Sequence, residues 1–487
     1  MPLRARSLLL AVLVASLPAC ATFRSYDTEL RDTLTRAAAG DVGGAIATLE
    51  RNNRRTRKDL LYYMERGELE RLRTRFEPST DAWMRASEQV AAWESAALAD
   101  PSRLAGSLAS VTLNDKSRPY EGHDYEKVML TTRIALNHLA CGDWDAARVA
   151  IRQTHEREAV IARLREQEIE KVRSEAERHG ARTRIEELDG YPVETIDNPE
   201  VNALRNSYQS AISHYLAGFV YEALGEPGLA AAGYRQAIEL RPDTPVLEEA
   251  LAGLDTRTAS ADDGSTDVLF LIETGLAPAR LSRQFSLPIP VNRELVLISV
   301  SFPVLHAPLA PFLPASLHIG EDRSWPLANV TSIDAMARRA LQDEMPAIML
   351  RGFVRSAGKA IAQYQAQRAA RDRHHHGDDS GGAALDVGAL ALMLGSMITE
   401  SADERGWRSL PANLLVARGK LPRGPHRVTL PTPAGERSAQ VHVSGRHAFI
   451  ALRLIGKRLF AMLPTVETHE PRDSNLVRIA PIGGRTD

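Results

Sequence analysis

The chain has 487 residues, 44% of them hydrophobic and 25% charged, with a formal net charge of −2. That length leaves room for about three domains or fewer, and the composition is ordinary for a folded soluble protein. A net charge so near zero removes any global field that would argue for nucleic acid or an acidic substrate as partner.

Met1 to Cys20 reads as a targeting segment: Arg4 and Arg6 form a positive start, and Leu8 to Leu17 is an apolar run too short to span a bilayer. It ends in Leu17-Pro18-Ala19-Cys20, which resembles a bacterial lipobox. The resemblance implies cleavage before Cys20, with that residue diacylated as the new N-terminus, because several acyl chains hold a protein on a membrane where one does not. Ala21 follows where an inner-membrane retention signal would carry Asp, so the outer membrane, facing the periplasm, is the expected location. Cys141 then has no intramolecular disulfide partner and is expected to be a small buried helix residue.

Residues 21–255 carry helical periodicity. Helix, glycine turn and helix are expected around Gly40, Gly67, Gly142 and Gly225, and the uneven spacing of these glycines argues for an irregular array. The basic run from Arg51 to Lys58 has acidic neighbours and reads as a solvated helix end. Tyr120 to Glu126 reads as the capped start of a helix, since acidic residues suit that end. A highly charged helix is expected as an insertion over about 153–190, exposed on most faces. The clearest unit is Ala211 to Pro242: Ala217, Gly218, Tyr221 and Leu224 line one face, Gly225 ends the first helix, and Ala230, Tyr234, Ala237 and Ile238 line the second. Gly218, Tyr221, Gly225, Ala230, Tyr234, Ala237 and Pro242 stand in the register of the tetratricopeptide consensus, with His214 in place of its leading Trp. These are the candidate packing and groove positions, and such arrays present a concave groove to peptides or helices.

Residues 256–265 read as a polar linker. Strands follow at Val268 to Glu273, Phe285 to Pro290 and Leu295 to Phe302, then at Leu414 to Arg418, His426 to Leu430, Ala439 to Val443, Ala448 to Ile455 and Leu459 to Leu463. A helical excursion over about 331–401 divides them, and 468–487 is a polar tail. The expected fold is therefore α+β: an irregular tetratricopeptide-like helical array, then a separate β-sandwich-like domain spanning 266–467 with a helical insertion.

Chemistry is harder to find. Gly352 to Lys359 has the wrong spacing for a phosphate loop and sits in a helical pattern. His374, His375 and His376 lie in a polar loop that lacks the supporting ligands of a metal site. Asp403 and Glu404 beside Trp407 are the one clustered pair of carboxylates that a glycan-cleaving site would need; a turn with a packed Trp is the plainer expectation. No cofactor is expected.

Taken together, YEGHDYEKVML (Tyr120 to Leu130), the Ala211 hairpin, FLIETGLAP (Phe270 to Pro278), FSLPIP (Phe285 to Pro290) and ADERGWRSLPANLLVARGKLPRG (Ala402 to Gly424) resemble a group of proteobacterial tetratricopeptide lipoproteins. The resemblance implies a non-enzymatic adaptor that binds a protein partner in envelope biogenesis, in the peptidoglycan-synthesis machinery or a comparable assembly. The alternative is a glycan- or peptidoglycan-acting enzyme or binding module in the β domain.

Overall fold

The computed structural model describes residues 26–54, 58–100, 119–181, 183, 185, 188, 190–291, 294–306, 312–374 and 401–463, with the backbone alone for 286–291, 294–299 and 356–374. Helices α1 (Tyr26–Ala39), α2 (Val42–Asn52), α3 (Leu60–Leu72), α4 (Phe76–Ala99), α5 (Asp124–Ala140) and α6 (Trp144–His179) come first. They are followed by α7 (Pro199–Asn202), α8 (Ala211–Ala223), α9 (Pro227–Leu240), α10 (Pro245–Ala252) and α11 (Leu254–Ala259). Local chemistry sets their starts. Asp41, Asp59 and Asp143 each accept a backbone N–H three residues on at 2.9 Å, and Pro227 and Pro245 open α9 and α10 where no donor is needed.

Four of these pairs are hairpins built on one spacing: α1–α2, α3–α4, α5–α6 and α8–α9. Each turn holds a residue with positive φ: Gly40 at 91°, Thr74 at 58°, Gly142 at 75° and Gly225 at 77°. Seven residues before the turn stands a small buried residue (Thr33, Gly67, Ala135, Gly218), and five after it another (Ala45, Ser79, Ala147, Ala230). Nine after it a large side chain fills the gap between the helices (Leu49, Trp83, Ile151, Tyr234). This corrects the assignment of Gly67 to a turn. Gly67 lies inside α3, where a Cβ would overlap the Trp83 ring, just as one on Gly218 would overlap Tyr234. With Thr74 as the turn residue, the first three turns fall at 40, 74 and 142, which are separations of 34 and of 68, twice 34.

The close approach makes a direct prediction. Gly218→Ala is expected to cost about 1–3 kcal/mol, because the added methyl must displace the fully buried Tyr234 ring in a packed core. A urea denaturation midpoint checks it, and Gly228→Ala, with open space around its Cβ, is the neutral control.

The β half forms three sheets. Strands β1 (Ser265–Thr274), β7 (Asn413–Pro422), β10 (His447–Ile455), β11 (Arg458–Met462) and β6 (Ala328–Ser332) make a five-stranded sheet in the order β11-β10-β1-β7-β6. Its β1–β10 pair is parallel, while β1–β7, β10–β11 and β6–β7 are antiparallel. Strands β5 (Arg323–Pro326), β4 (Ser316–Ile319), β8 (Gly424–Leu430) and β9 (Arg437–Val443) make a second sheet in that order, and β2 (Arg280–Val291) pairs with β3 (Glu294–Leu305) as a long hairpin. Between the strand groups runs α12 (Ile333–His374), which carries Pro346 in its interior.

Side-chain alternation assigns the faces of the five-stranded sheet. Val268, Phe270, Ile272, Leu415 and Leu452 pack with Leu317, Val428 and Val441 of the second sheet. The intervening Leu269, Leu271, Leu414, Val416 and Ala451 share a core with Met64, Met129, Phe219 and Tyr234 of the helices. One hydrophobic core therefore runs through helices and sheet, where a separate β domain was expected. The linker also shortens: α11 reaches Ala259 and β1 starts at Ser265. The charged helix is no insertion, since it continues the second helix of the α5–α6 hairpin through 36 residues to a left-handed Gly180. It is less exposed than expected, burying Arg157, Glu158, Ile161, Leu164, Val172 and Ala176. Cys141 is exposed at the C-terminal cap of α5, not buried.

Candidate functional site

Of the seven hairpin positions singled out from sequence, Gly225 is exposed and the others are buried: His214, Gly218, Tyr221, Ala230, Tyr234 and Ala237. They pack; they do not line an open groove. His214 stacks on His155 at 4.8 Å and faces Glu158 at 3.2 Å. Tyr234 donates to Glu222 at 2.6 Å and accepts from Arg418 of β7 at 2.8 Å. The same sheet face meets the helices elsewhere: Glu273 of β1 pairs with Arg133 of α5, and Thr331 of β6 accepts the backbone N–H of Ile212 at 3.1 Å. The helical array thus packs directly against the chain's own five-stranded sheet.

The open space lies elsewhere, in a cleft between α6 and α12. Its inner end is a cavity of about 360 Å³ at the start of α5, walled also by β2 and the segment 403–405. Its outer end is a slot of about 470 Å³ lined by Ile169, Val172, Ala176, Ala181, Pro346 and Ala347. Arg165, Glu168 and Ala347 belong to both. Helical periodicity puts Ile169, Val172 and Ala176 on one stripe of α6. Val172 and Ala176 close on Ala347 and Leu350 of α12, while Ile169 stays 65% exposed.

The inner cavity gathers charge of both signs. His123 caps α5, its backbone N–H donating to Glu126 at 3.0 Å. Its Nδ1 lies 2.9 Å from Glu344 Oε1 of α12, and Arg280 of β2 reaches Glu344 at 3.0 Å and His123 Nε2 at 2.7 Å. Asp124 pairs with Lys127 at 3.2 Å and with Arg165, which also holds Glu168 at 2.9 Å. Asp403 holds Arg405 at 2.7 Å. Glu121 and Arg351 complete five carboxylates and five cations in the wall. Burial and the Arg280 charge push the His123 pKa down, but Glu344 and Glu126 push it up by more, so it ends raised. Burial pushes Glu344 up, and His123, Arg280 and Arg165 bring it well below the usual carboxylate range. The Tyr120 to Glu126 stretch is the capped helix start read from sequence, and its Tyr120 to Asp124 part is also the floor of this cavity. Sequence carries no sign that Arg280 and Glu344, 157 and 221 residues away, converge on it.

The segment 402–410 is strapped to the helices through buried carboxylates. Glu126 accepts the Trp407 N–H at 2.6 Å, and Glu65 accepts those of Arg408 at 2.8 Å and Ser409 at 3.2 Å. Trp407 is 1% exposed and meets Trp83 edge-on at 6.0 Å. Asp403 and Glu404 do not make a facing pair. Asp403 lines the cavity, while Glu404 accepts the N–H of Ser282 at 3.1 Å. Burial raises the Glu65 pKa to about 7 against the hydrogen bonds of Ser409 and Arg408. A carboxyl whose folded pKa exceeds its unfolded one holds its proton more tightly when folded, so stability falls as pH rises from about 4.5 to about 7. The expected contribution is on the order of 3 kcal/mol. Glu65→Gln should abolish that slope, and urea midpoints from pH 4.5 to 8 would measure it.

Among the described residues, one group of three ligand-type side chains falls within 4.8 Å: Glu222, Asp267 and His447. Arg257 and Arg418 already neutralise it, at 2.7 Å to Glu222 and through Arg418 to Asp267 at 2.5 Å. Burial pushes Glu222 up and these guanidiniums push it down by more, to about 2. Cation ligands so thoroughly paired do not fit a metal centre. Cys20, His375 and His376 lie outside the described residues, whereas the backbone at His374 continues α12, where a loop was expected. No helix among the described residues is long and apolar enough to cross a membrane. No family model, no curated protein and no solved structure matches the chain.

Proposed function

We propose that this protein is an outer-membrane lipoprotein, anchored through Cys20 and facing the periplasm, that works as a protein–protein adaptor in envelope biogenesis. It is a binding protein and not an enzyme. The four hairpins of equal spacing, two of whose intervals are multiples of 34 residues, are tetratricopeptide units. The five- and four-stranded sheets packed face to face are a β-sandwich, and the helical array wraps one side of it.

One observation supports where the partner would go: the five-stranded sheet packs on the helical array and shares its core. The partner docks instead in the α6–α12 cleft. Its occupant is an amphipathic helix, because an apolar slot between two helices, rimmed by Arg165, Glu168, Arg173, Glu177 and Asp343, offers a helix both an apolar seat and charges of each sign. Crosslinking in intact cells, followed by mass spectrometry, tests the adaptor role by comparing wild type with Cys20→Ala. One dominant partner, joined through 165–181 or 343–347 and lost with the anchor, is the expected result. Links only to itself and to abundant envelope proteins would overturn it.

A further inference from the structure

The inner cavity of the cleft has a chemistry of its own, independent of the adaptor role. We propose that it binds a neutral saccharide, one or two sugar units long.

The first ground is charge balance. Five carboxylates face five Lys and Arg side chains, with His123 hydrogen-bonded to Glu344 beside them, so the charges nearly cancel and no strong field selects an anion or a cation. The pairs are made in place: Asp403 with Arg405, Glu168 with Arg165, Glu344 with Arg280. A charged ligand would have to break one of these partly buried pairs and leave its partner group uncompensated, which is costly. A hydroxyl does not. It donates to a carboxylate and accepts from a guanidinium at once, so it bridges an existing pair without separating it. A ring bearing several hydroxyls can do this repeatedly.

The second ground is a polar wall fixed in place. Arg280 is 7% exposed, and its terminal nitrogens are held by Glu344 at 3.0 Å and by His123 Nε2 at 2.7 Å, so this group stands ready-made at the cavity.

The third ground is the remaining wall. Trp93, Tyr120, Ile161, Leu164 and Pro303 line the space between the ion pairs, with Lys127 over one face of the Trp93 ring and Arg405 over one face of Tyr120. That alternation of apolar faces and fixed polar groups suits a sugar ring, whose C–H faces are apolar and whose edge is polar. The volume of about 360 Å³ falls at the lower end of small-molecule sites, which fits a short saccharide and not a long chain held end to end.

The test uses the purified full chain and titration calorimetry with three disaccharides of one shape and different charge. N,N′-diacetylchitobiose is neutral, its deacetylated diamine is cationic, and cellobiouronate is anionic; cellobiose is a second neutral probe. The expected result is binding of at least one neutral disaccharide with Kd of about 1 mM or tighter, and at least about tenfold weaker binding of both charged ones. Asp403→Asn and Glu168→Gln should each weaken the neutral ligand by about tenfold, the loss of one charge-assisted hydrogen bond. Ile169→Glu, in the outer slot, should leave sugar binding unchanged while it breaks partner docking, so either proposal can fail alone. Absence of binding by both neutral probes, or tighter binding of either charged one, would overturn the proposal.

Discussion

Glu273→Gln is expected to destabilise the protein by about 3–5 kcal/mol, more than any other single charge neutralisation at the interface of helices and sheet. Glu273 is fully buried at the helix-facing side of β1. Around it stand Arg133 of α5, Arg71 of α3 at 3.7 Å and Arg453 of β10, all at most 1% exposed, with Glu68 of α3 as the second carboxylate. Burial pushes the Glu273 pKa up, and Arg133, Arg71 and Arg453 push it down by more. Burial pulls both Arg71 and Arg453 down to about 10, since neither is fully compensated. Removing the Glu273 charge leaves three guanidiniums facing Glu68 alone. Arg133→Met, by contrast, leaves two cations and two carboxylates, so a smaller loss is expected. Urea denaturation of the two variants separates these cases. A loss below about 1 kcal/mol for Glu273→Gln, or a larger one for Arg133→Met, would contradict the charge count.

Trp83→Ala is expected to cost about 3–5 kcal/mol as well, by a different route. Trp83 fills the α3–α4 hairpin over Gly67, and its indole N–H donates to the Met64 carbonyl at 3.1 Å. It also meets Trp407 in the strapped segment and lies beneath the Arg133 guanidinium, 5.8 Å from its ring centre. The void therefore opens between the hairpin and the strap, and the same strap carries Asp403 and Arg405 to the cavity. Amide hydrogen exchange should show Trp407 and Arg408 losing protection in Trp83→Ala while the β1 amides keep theirs. Unchanged protection at 407 and 408 would mean that the strap is held by Glu65 and Glu126 alone.

Much of this fold is legible in the residues. Each expected strand lies within an observed one, save that the last runs one residue past the end of β11 to Leu463, and the Ala211 hairpin has its turn at Gly225 and its close contact at Gly218. Strands β4, β5 and β6 were not expected, because four or five residues of mixed pattern give too few alternations to stand out. Thr74 carries no sequence sign of a turn because positive φ is read from glycine, and a threonine there is held by its surroundings, not by its own preference. Glu273 did leave a signal: a carboxylate ending the run VLFLIE, in a strand buried on both faces, must meet a cation. The cavity left less. Its floor, Tyr120 to Asp124, is visible as part of a cluster, but the Arg280 and Glu344 that make it a site come from β2 and α12, and single-chain periodicity does not encode which distant residues converge.

The proposed partner docks in the α6–α12 cleft and not on the Ala211 hairpin. A photo-crosslinking amino acid placed at position 169, in the slot, and in a second strain at position 229, on the exposed face of α9, tests it most directly in living cells. A single strong adduct at 169, absent at 229 and abolished by Ala347→Glu across the slot, is the predicted result. The same adduct at 229 with none at 169 would contradict it.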